Sequence, residues 1–119
     1  IYTGADFFLM PSLYEPCGLG QMISLRYGTI PIVRKTGGLA DTVEEFDSFT
    51  EKGNGFLFEK YSSSHMIEAI KRAIKLYENK DKWEKLIKNA MKQDFSWDKS
   101  AKEYIKLYRV IQEKTRNQP

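Results

Sequence analysis

Ser12-Leu-Tyr-Glu-Pro-Cys-Gly-Leu-Gly-Gln-Met22 lies between two different hydrophobic patterns, and the change across it decides the fold. Before it, Ala5-Asp-Phe-Phe-Leu-Met-Pro11 is a short, aromatic-rich apolar run of the kind that forms a buried parallel strand. After it, Leu19, Met22, Ile23 and Arg26-Tyr27 recur at helical spacing, and Gly28 is placed to end the helix. Residues 15–20 therefore read as the turn from strand into helix, with Pro16 at the first helical position, where no backbone donor is missed. The N–H groups of Cys17, Gly18, Leu19 and Gly20 are then expected to point out of the helix N-terminus, and glycines at 18 and 20 leave room for a close approach. An anion or a polyhydroxyl ligand suits such a set of donors. Glu15 has two readings: a charged cap, stabilised by roughly 0.3–1 kcal/mol through the helix dipole, or a carboxylate that accepts hydrogen bonds from sugar hydroxyls.

The pattern repeats downstream. Thr29-Ile-Pro-Ile-Val-Arg34 is a second apolar run, closed by Lys35-Thr-Gly-Gly-Leu-Ala-Asp-Thr-Val43. Pro31 lacks a ladder donor, which predicts a strand that starts late or runs near an edge. Two successive strand-turn-helix units imply a parallel sheet with right-handed crossovers, and ligands of such sheets sit beyond the C-terminal strand ends. Residues 15–20 and 36–39 would then face one crevice. Gly37-Gly38 is read either as a tight turn before a short helix at about residues 39–45, or as that turn with a phosphate contact. No Gly-x-Gly-x-x-Gly pattern is present, so a nicotinamide or flavin oxidoreductase has no support.

Residues 46–54 are polar and acidic, and Phe56-Leu-Phe58 reads as a short third strand. Ser62-Ser-Ser64 opens a helix with an expected buried stripe of Met66, Ile67, Ile70, Ala73, Ile74 and Tyr77, and with His65 in an exposed polar role in its first turn. Asp81, followed by Glu84, opens another, with Trp83, Leu86, Ile87, Ala90 and Met91 as its core face. Ser96 caps the last, whose Trp97, Ala101, Tyr104, Tyr108 and Ile111 form an aromatic stripe for a core or an interface. The expected fold is α/β, a partial Rossmann-like parallel sheet of about three strands with helices. Residues 1–113 are read as one domain and 114–119 as a frayed tail.

Composition narrows the function classes. The 119 residues are 41% hydrophobic and 13% aromatic, enough for a globular core. No apolar run approaches the ~20 residues that span a bilayer, and no charged-then-apolar leader opens the sequence. Cys17 is the single cysteine and His65 the single histidine, which excludes an internal disulfide and argues against a Cys/His metal site. The net charge of +3 conceals an acidic first part, net −4 over residues 1–70, and a basic remainder, net +7. In that basic part lysines alternate with acids at helical spacing and no stacking platform is evident, so a solvated face is read there, with no nucleic-acid and no membrane partner.

Tyr14-Glu-Pro-Cys-Gly-Leu-Gly-Gln21 and Leu25-Arg-Tyr-Gly-Thr-Ile-Pro-Ile-Val-Arg-Lys-Thr-Gly-Gly-Leu-Ala-Asp-Thr-Val43 together resemble the C-terminal domain of the bacterial glycogen synthase and plant starch synthase family. These are retaining glucosyltransferases of the GT-B fold, and the resemblance runs from residue 1 to about residue 110. It implies the second half of a nucleotide-sugar-binding domain whose partners are an N-terminal Rossmann-like domain of the same protein, an ADP-glucose or UDP-glucose donor and an α-1,4-glucan acceptor. It implies no cofactor and no metal, and a cytoplasmic location, or the plastid stroma in a plant. Glu15 matches the catalytic-site glutamate that holds the transferred glucose. The amides of Cys17, Gly18 and Leu19 match the helix start that binds sugar hydroxyls and the distal phosphate, with Gly20, Thr36, Gly37 and Gly38 completing the implied substrate site.

Two positions depart from the family pattern. Many related enzymes hold the ribose with a second glutamate at the position of Ile23, and some have a threonine at that of Gly20. The arginine and lysine that clamp the diphosphate have no match. The resemblance therefore implies a donor-binding piece that is inactive alone. The competing readings are a non-catalytic nucleotide-sugar or glucan-binding module, and a GT-B transferase for another hexose.

Overall fold

A computed structural model describes residues 1–116 of the chain. Three strands, β1 (Phe7–Met10), β2 (Ile30–Arg34) and β3 (Phe56–Phe58), form one parallel sheet in the order β1-β2-β3. Five α-helices follow or separate them among the described residues: α1 (Gly20–Arg26), α2 (Gly37–Thr42), α3 (Ser63–Tyr77), α4 (Lys80–Met91) and α5 (Trp97–Arg116). The register pairs Phe7 with Ile30, Leu9 with Ile32 and Ile32 with Phe56. Because side chains alternate along a strand, those residues share one face with Phe58, while Met10, Val33 and Leu57 share the other.

Both faces are covered, which is why the strands are apolar on both sides. On the first face, Ile30, Ile32, Phe56 and Phe58 pack with Leu25 of α1, Ala69, Ala73 and Leu76 of α3, and Trp83, Leu86 and Ala90 of α4. The rings of Phe7, Tyr77 and Trp83 lie with centroids 5.1–5.7 Å apart. On the second face, Met10, Val33 and Leu57 pack against Leu39 of α2 and Val43.

Pro31 neither delays β2 nor marks an edge: it is the second residue of the central strand and fully buried. The register that pairs Ile32 with Phe56 brings Pro31 opposite Gly55, just before β3 begins, so its missing N–H falls where a ladder donor is not needed. A side chain at Gly55 would crowd the Pro31 ring, its Cβ lying 3.0 Å from Pro31 Cγ.

Other boundaries also differ from expectation. The first helix starts at Gly20, so Pro16 lies in the loop and not at a helical first position. The second starts at Gly37 itself and ends at Thr42, so the glycine pair is inside the helix and not before it. In α3 the buried line is Ala69, Ala73 and Leu76, flanked by Met66 and Ile70, whereas Ile67, Ile74 and Tyr77 are exposed by 46%, 50% and 43%. Asn79, not Asp81, caps α4, its Oδ1 accepting from the Lys82 N–H at 3.2 Å, and Met91 is half exposed. Ser62 caps α3 and Ser96 caps α5 as their sequence positions predict. Lys114–Arg116, expected to fray, end α5, and the remainder of that expected tail lies outside the described residues.

Candidate functional site

The site is built where β1 and β2 end. The chain leaves β1 at Met10 and crosses residues 11–19 without regular structure before α1, and it leaves β2 at Arg34 and enters α2 within three residues. These two loops touch backbone to backbone. The Gly38 N–H donates to the carbonyls of Glu15 at 3.0 Å and Pro16 at 3.2 Å. An added Cβ would lie 2.0 Å from the Glu15 carbonyl oxygen at Gly37, and 2.1 Å from that of Cys17 at Gly38. Gly37 also has a φ of 44°, a left-handed conformation that L side chains seldom take. The glycine pair therefore lets one loop lie on the other, and the Gly38 amide is spent inside the protein.

Gln21 is the second tie. It sits in the first turn of α1, wholly buried, and its Nε2 donates to the carbonyls of Cys17 at 3.0 Å and Gly18 at 2.9 Å and to Thr42 Oγ1 at 3.2 Å. Thr42 in turn donates to the Gly38 carbonyl at 2.6 Å. A closed path of hydrogen bonds thus joins residues 15–21 to α2. Gln21 Oε1 is buried and finds no donor among the described residues, which costs about 1–3 kcal/mol of desolvation. Gly18, at φ 75°, leaves space for that side chain, since a Cβ there would come 2.5 Å from Oε1. The space beside Gly20 is filled from within, where a Cβ would meet the Phe8 ring at 2.9 Å.

Arg34 is the third tie. Its Nε donates to the Ser12 carbonyl at 2.9 Å, its other nitrogens reach the carbonyls of Leu13 and Glu59, and its guanidinium lies 5.9 Å from the Tyr61 ring centroid. The end of β2 therefore holds the segments that leave β1 and β3. Neither Gln21 nor Arg34 stands out in the sequence as a site residue. The available signals were a glutamine within an apolar helical stripe and a charge closing a buried strand.

The predicted site residues lie near one another where the two loops meet, with distinct surroundings: Gly38 is buried, and the others are exposed or partly exposed. Among the described residues the carboxylate of Glu15 has no hydrogen-bond or ion-pair partner, and the N–H groups of Cys17, Gly18, Leu19 and Gly20 have no acceptor. Cys17 is an exposed free thiol and Leu19 is 67% exposed. Thr36 stands at the N-cap of α2 without a side-chain cap bond. A cleft of 320 Å³, lined by Pro11, Phe58, Tyr61, Ser62, Ser63 and Met66, does not include residues 15–20, of which Cys17 and Leu19 are exposed and Glu15, Gly18 and Gly20 partly exposed. His65 is apart from them, with Nδ1 2.8 Å from the Ser62 hydroxyl. Among the described residues no three metal-binding side chains cluster, and no helix is long and apolar enough to cross a membrane. An unpaired carboxylate beside a row of outward backbone donors, at the C-terminal end of a parallel sheet, can hold a ligand that has both hydroxyls and an anionic group.

Residues 1–93 match the family of glycosyl transferases group 1, and the chain belongs to that family. It is 64% identical over 114 residues to a glycogen synthase of Fervidobacterium nodosum, covering 96% of this chain and 24% of that protein. A glycogen synthase of Clostridioides difficile is 59% identical over 111 residues, covering 93% and 23%. Among solved structures, the catalytic domain of starch synthase IV from Arabidopsis thaliana, bound to ADP and acarbose, superposes with a TM-score of 0.83 at 45% identity, over 92% of this chain and 23% of that one. The chain thus spans about a quarter of the length of the curated relatives it matches. The resemblance to glycogen and starch synthases holds, and the three-stranded sheet is part of a GT-B glycosyltransferase fold.

Proposed function

We propose that this chain is the donor-binding part of a glycogen or starch synthase, which transfers glucose from ADP-glucose, or UDP-glucose, to the non-reducing end of an α-1,4-glucan with retention. The observation that carries the reading is the row of unpaired Cys17, Gly18 and Leu19 amides beside the unpaired Glu15 carboxylate, in a chain 45% identical to a starch synthase solved with ADP. Glu15 holds the hydroxyls of the transferred glucose. The amides take sugar hydroxyls and the distal phosphate, with Gly20 and Thr36 at the rim, Gly37 shaping the turn and Gly38 holding the loop. As the diphosphate departs its charge grows, and N–H groups already fixed in place stabilise that charge without reorganising. The residues that clamp the rest of the diphosphate, and those around the reacting carbon, lie outside this chain. Ile23, 39% exposed at the position where relatives hold the ribose with a glutamate, leaves the ribose to other groups.

On this reading residues 1–113 belong to a C-terminal nucleotide-sugar-binding domain, their partner is an N-terminal Rossmann-like domain of the same protein, no cofactor takes part and the location is cytoplasmic or plastidic. The test is glucosyl transfer by the complete protein, with labelled ADP-glucose and UDP-glucose offered separately and glycogen as acceptor. Transfer from either supports the reading, and the ratio of kcat/KM values names the donor. Binding of both donor and glycogen without any transfer would replace it with a non-catalytic binding module.

A further inference from the structure

We infer that Gln21 is the residue that aims the donor-binding amides, a positioning role that rests on the function proposed above. In a trans peptide the C=O and N–H of one unit point in opposite directions, and no peptide bond in the described chain is cis. The carbonyl of Pro16 is turned inward by the Gly38 N–H, and those of Cys17 and Gly18 are turned inward by Gln21 Nε2. The N–H groups of Cys17, Gly18 and Leu19 belong to those same three peptide units, so each is turned away from the protein interior. Two of the three are set by a single side chain.

The amide chemistry of Gln21 is required and not only its volume. Nε2 faces two carbonyl oxygens, which only accept, so that atom must donate, and this fixes the orientation of the group. Methionine would fill a similar space and donate nothing. Glutamate would set a carboxylate oxygen against the two carbonyls. Thr42 completes the arrangement, because its hydroxyl accepts from Nε2 and donates to the Gly38 carbonyl, and so links the carbonyls that Gln21 holds to the loop that holds Pro16. The unpaired, buried Oε1 fits this account: all the bonding of the group goes to its donor end.

The test uses the complete protein and four variants, Gln21→Met, Gln21→Glu, Thr42→Val and Thr42→Ser. ADP affinity is measured by calorimetry, KM for ADP-glucose and for glycogen by steady-state kinetics, and folding by the melting temperature. Loss of the two carbonyl bonds is expected to weaken ADP binding and raise the donor KM about tenfold or more in Gln21→Met, with glycogen KM within about twofold of wild type. Thr42→Val should show a smaller loss in the same direction, and Thr42→Ser, which keeps the hydroxyl, should restore wild-type affinity. A folded Gln21→Met protein with ADP affinity within about twofold of wild type overturns the inference. So does a fall in donor and glycogen affinity together with the melting temperature, the mark of a purely structural residue. If neither Gln21 variant folds, the Thr42 pair decides, and equal ADP affinity in Thr42→Val and Thr42→Ser overturns it. A wild-type protein that binds no ADP or UDP and transfers no glucose overturns instead the function on which it rests.

Discussion

Glu15 is held by its backbone and not by its side chain. Its carbonyl accepts from Gly38, while its carboxylate has no partner among the described residues. Removing the carboxylate should therefore leave the fold intact and remove only what it does for a ligand. Glu15→Ala in the complete protein is expected to lower kcat/KM by roughly 100-fold, or about 3 kcal/mol of transition-state binding, with an unchanged melting temperature. Activity within twofold of wild type would rule out the assignment.

Among the elements, the loop between α2 and β3 is ordered by carboxylates, and one gives a pH dependence of known sign. The Phe49 N–H and then the Thr50 hydroxyl donate to Asp47 at 2.8 and 3.1 Å, and hold its carboxyl below the usual range. A depressed folded value means that the contribution is present above the unfolded value, about 3.9, and is lost as pH falls through the folded one. Amide exchange of residues 47–52, closed by the bonds between Glu51 and Asp47 and between Asp47 and Lys52, should thus speed up below about pH 4 relative to its intrinsic rate. In Asp47→Asn that acid step should vanish, and identical profiles for the two proteins would exclude the mechanism.

Most elements could be read from the sequence because their periodicity is strong. Three strands, the α3 helix and the Ser62 and Ser96 caps fall where pattern and capping chemistry put them, and α4 falls where its periodicity puts it, although its cap is Asn79 and not Asp81. The α4 cap was a local miss, Asn79 taking the place read for Asp81, but the misses in the first helix and in α3 share one cause, contacts between segments distant in sequence. A helix beginning at Pro16 would spend the Glu15 and Pro16 carbonyls on its own first amides, but Gly38 takes both. In α3, two apolar lines compete, and the one with Ala69 and Ala73 faces the sheet, in one core with the large rings of Phe56 and Phe58. The candidate site rests on a motif that could be read in the sequence, but the packing reason for its glycines could not, because a Gly-Gly pair looks the same whether its neighbour is a phosphate or another loop.

As a whole the molecule is elongated. Its extents are 62 × 31 × 30 Å and its radius of gyration 17.3 Å, against about 13.5 Å for a compact domain of this length. The α5 helix, about 30 Å long for its 20 residues, has no buried residue, and Trp97 and Tyr108 are 87% and 60% exposed. Ending the chain after residue 95 should shift the melting temperature by no more than about 2 °C, while lowering the self-association that so much exposed apolar surface favours. A large drop on truncation would show that α5 carries stability. The 119-residue chain should also transfer no glucose from labelled ADP-glucose to glycogen, since alignment of donor and acceptor, ~7–11 kcal/mol of the barrier, needs groups this chain lacks. Incorporation above a boiled control would contradict that.

The close approach of the two loops bears on how such motifs are interpreted in directed evolution. With the Glu15 and Cys17 carbonyl oxygens 2.0 and 2.1 Å from where side chains would begin, glycine at 37 and 38 is demanded by packing alone. A library randomised at residues 36–38 and screened only for soluble, protease-resistant protein, with no sugar nucleotide present, should return glycine at both positions and a free choice at Thr36.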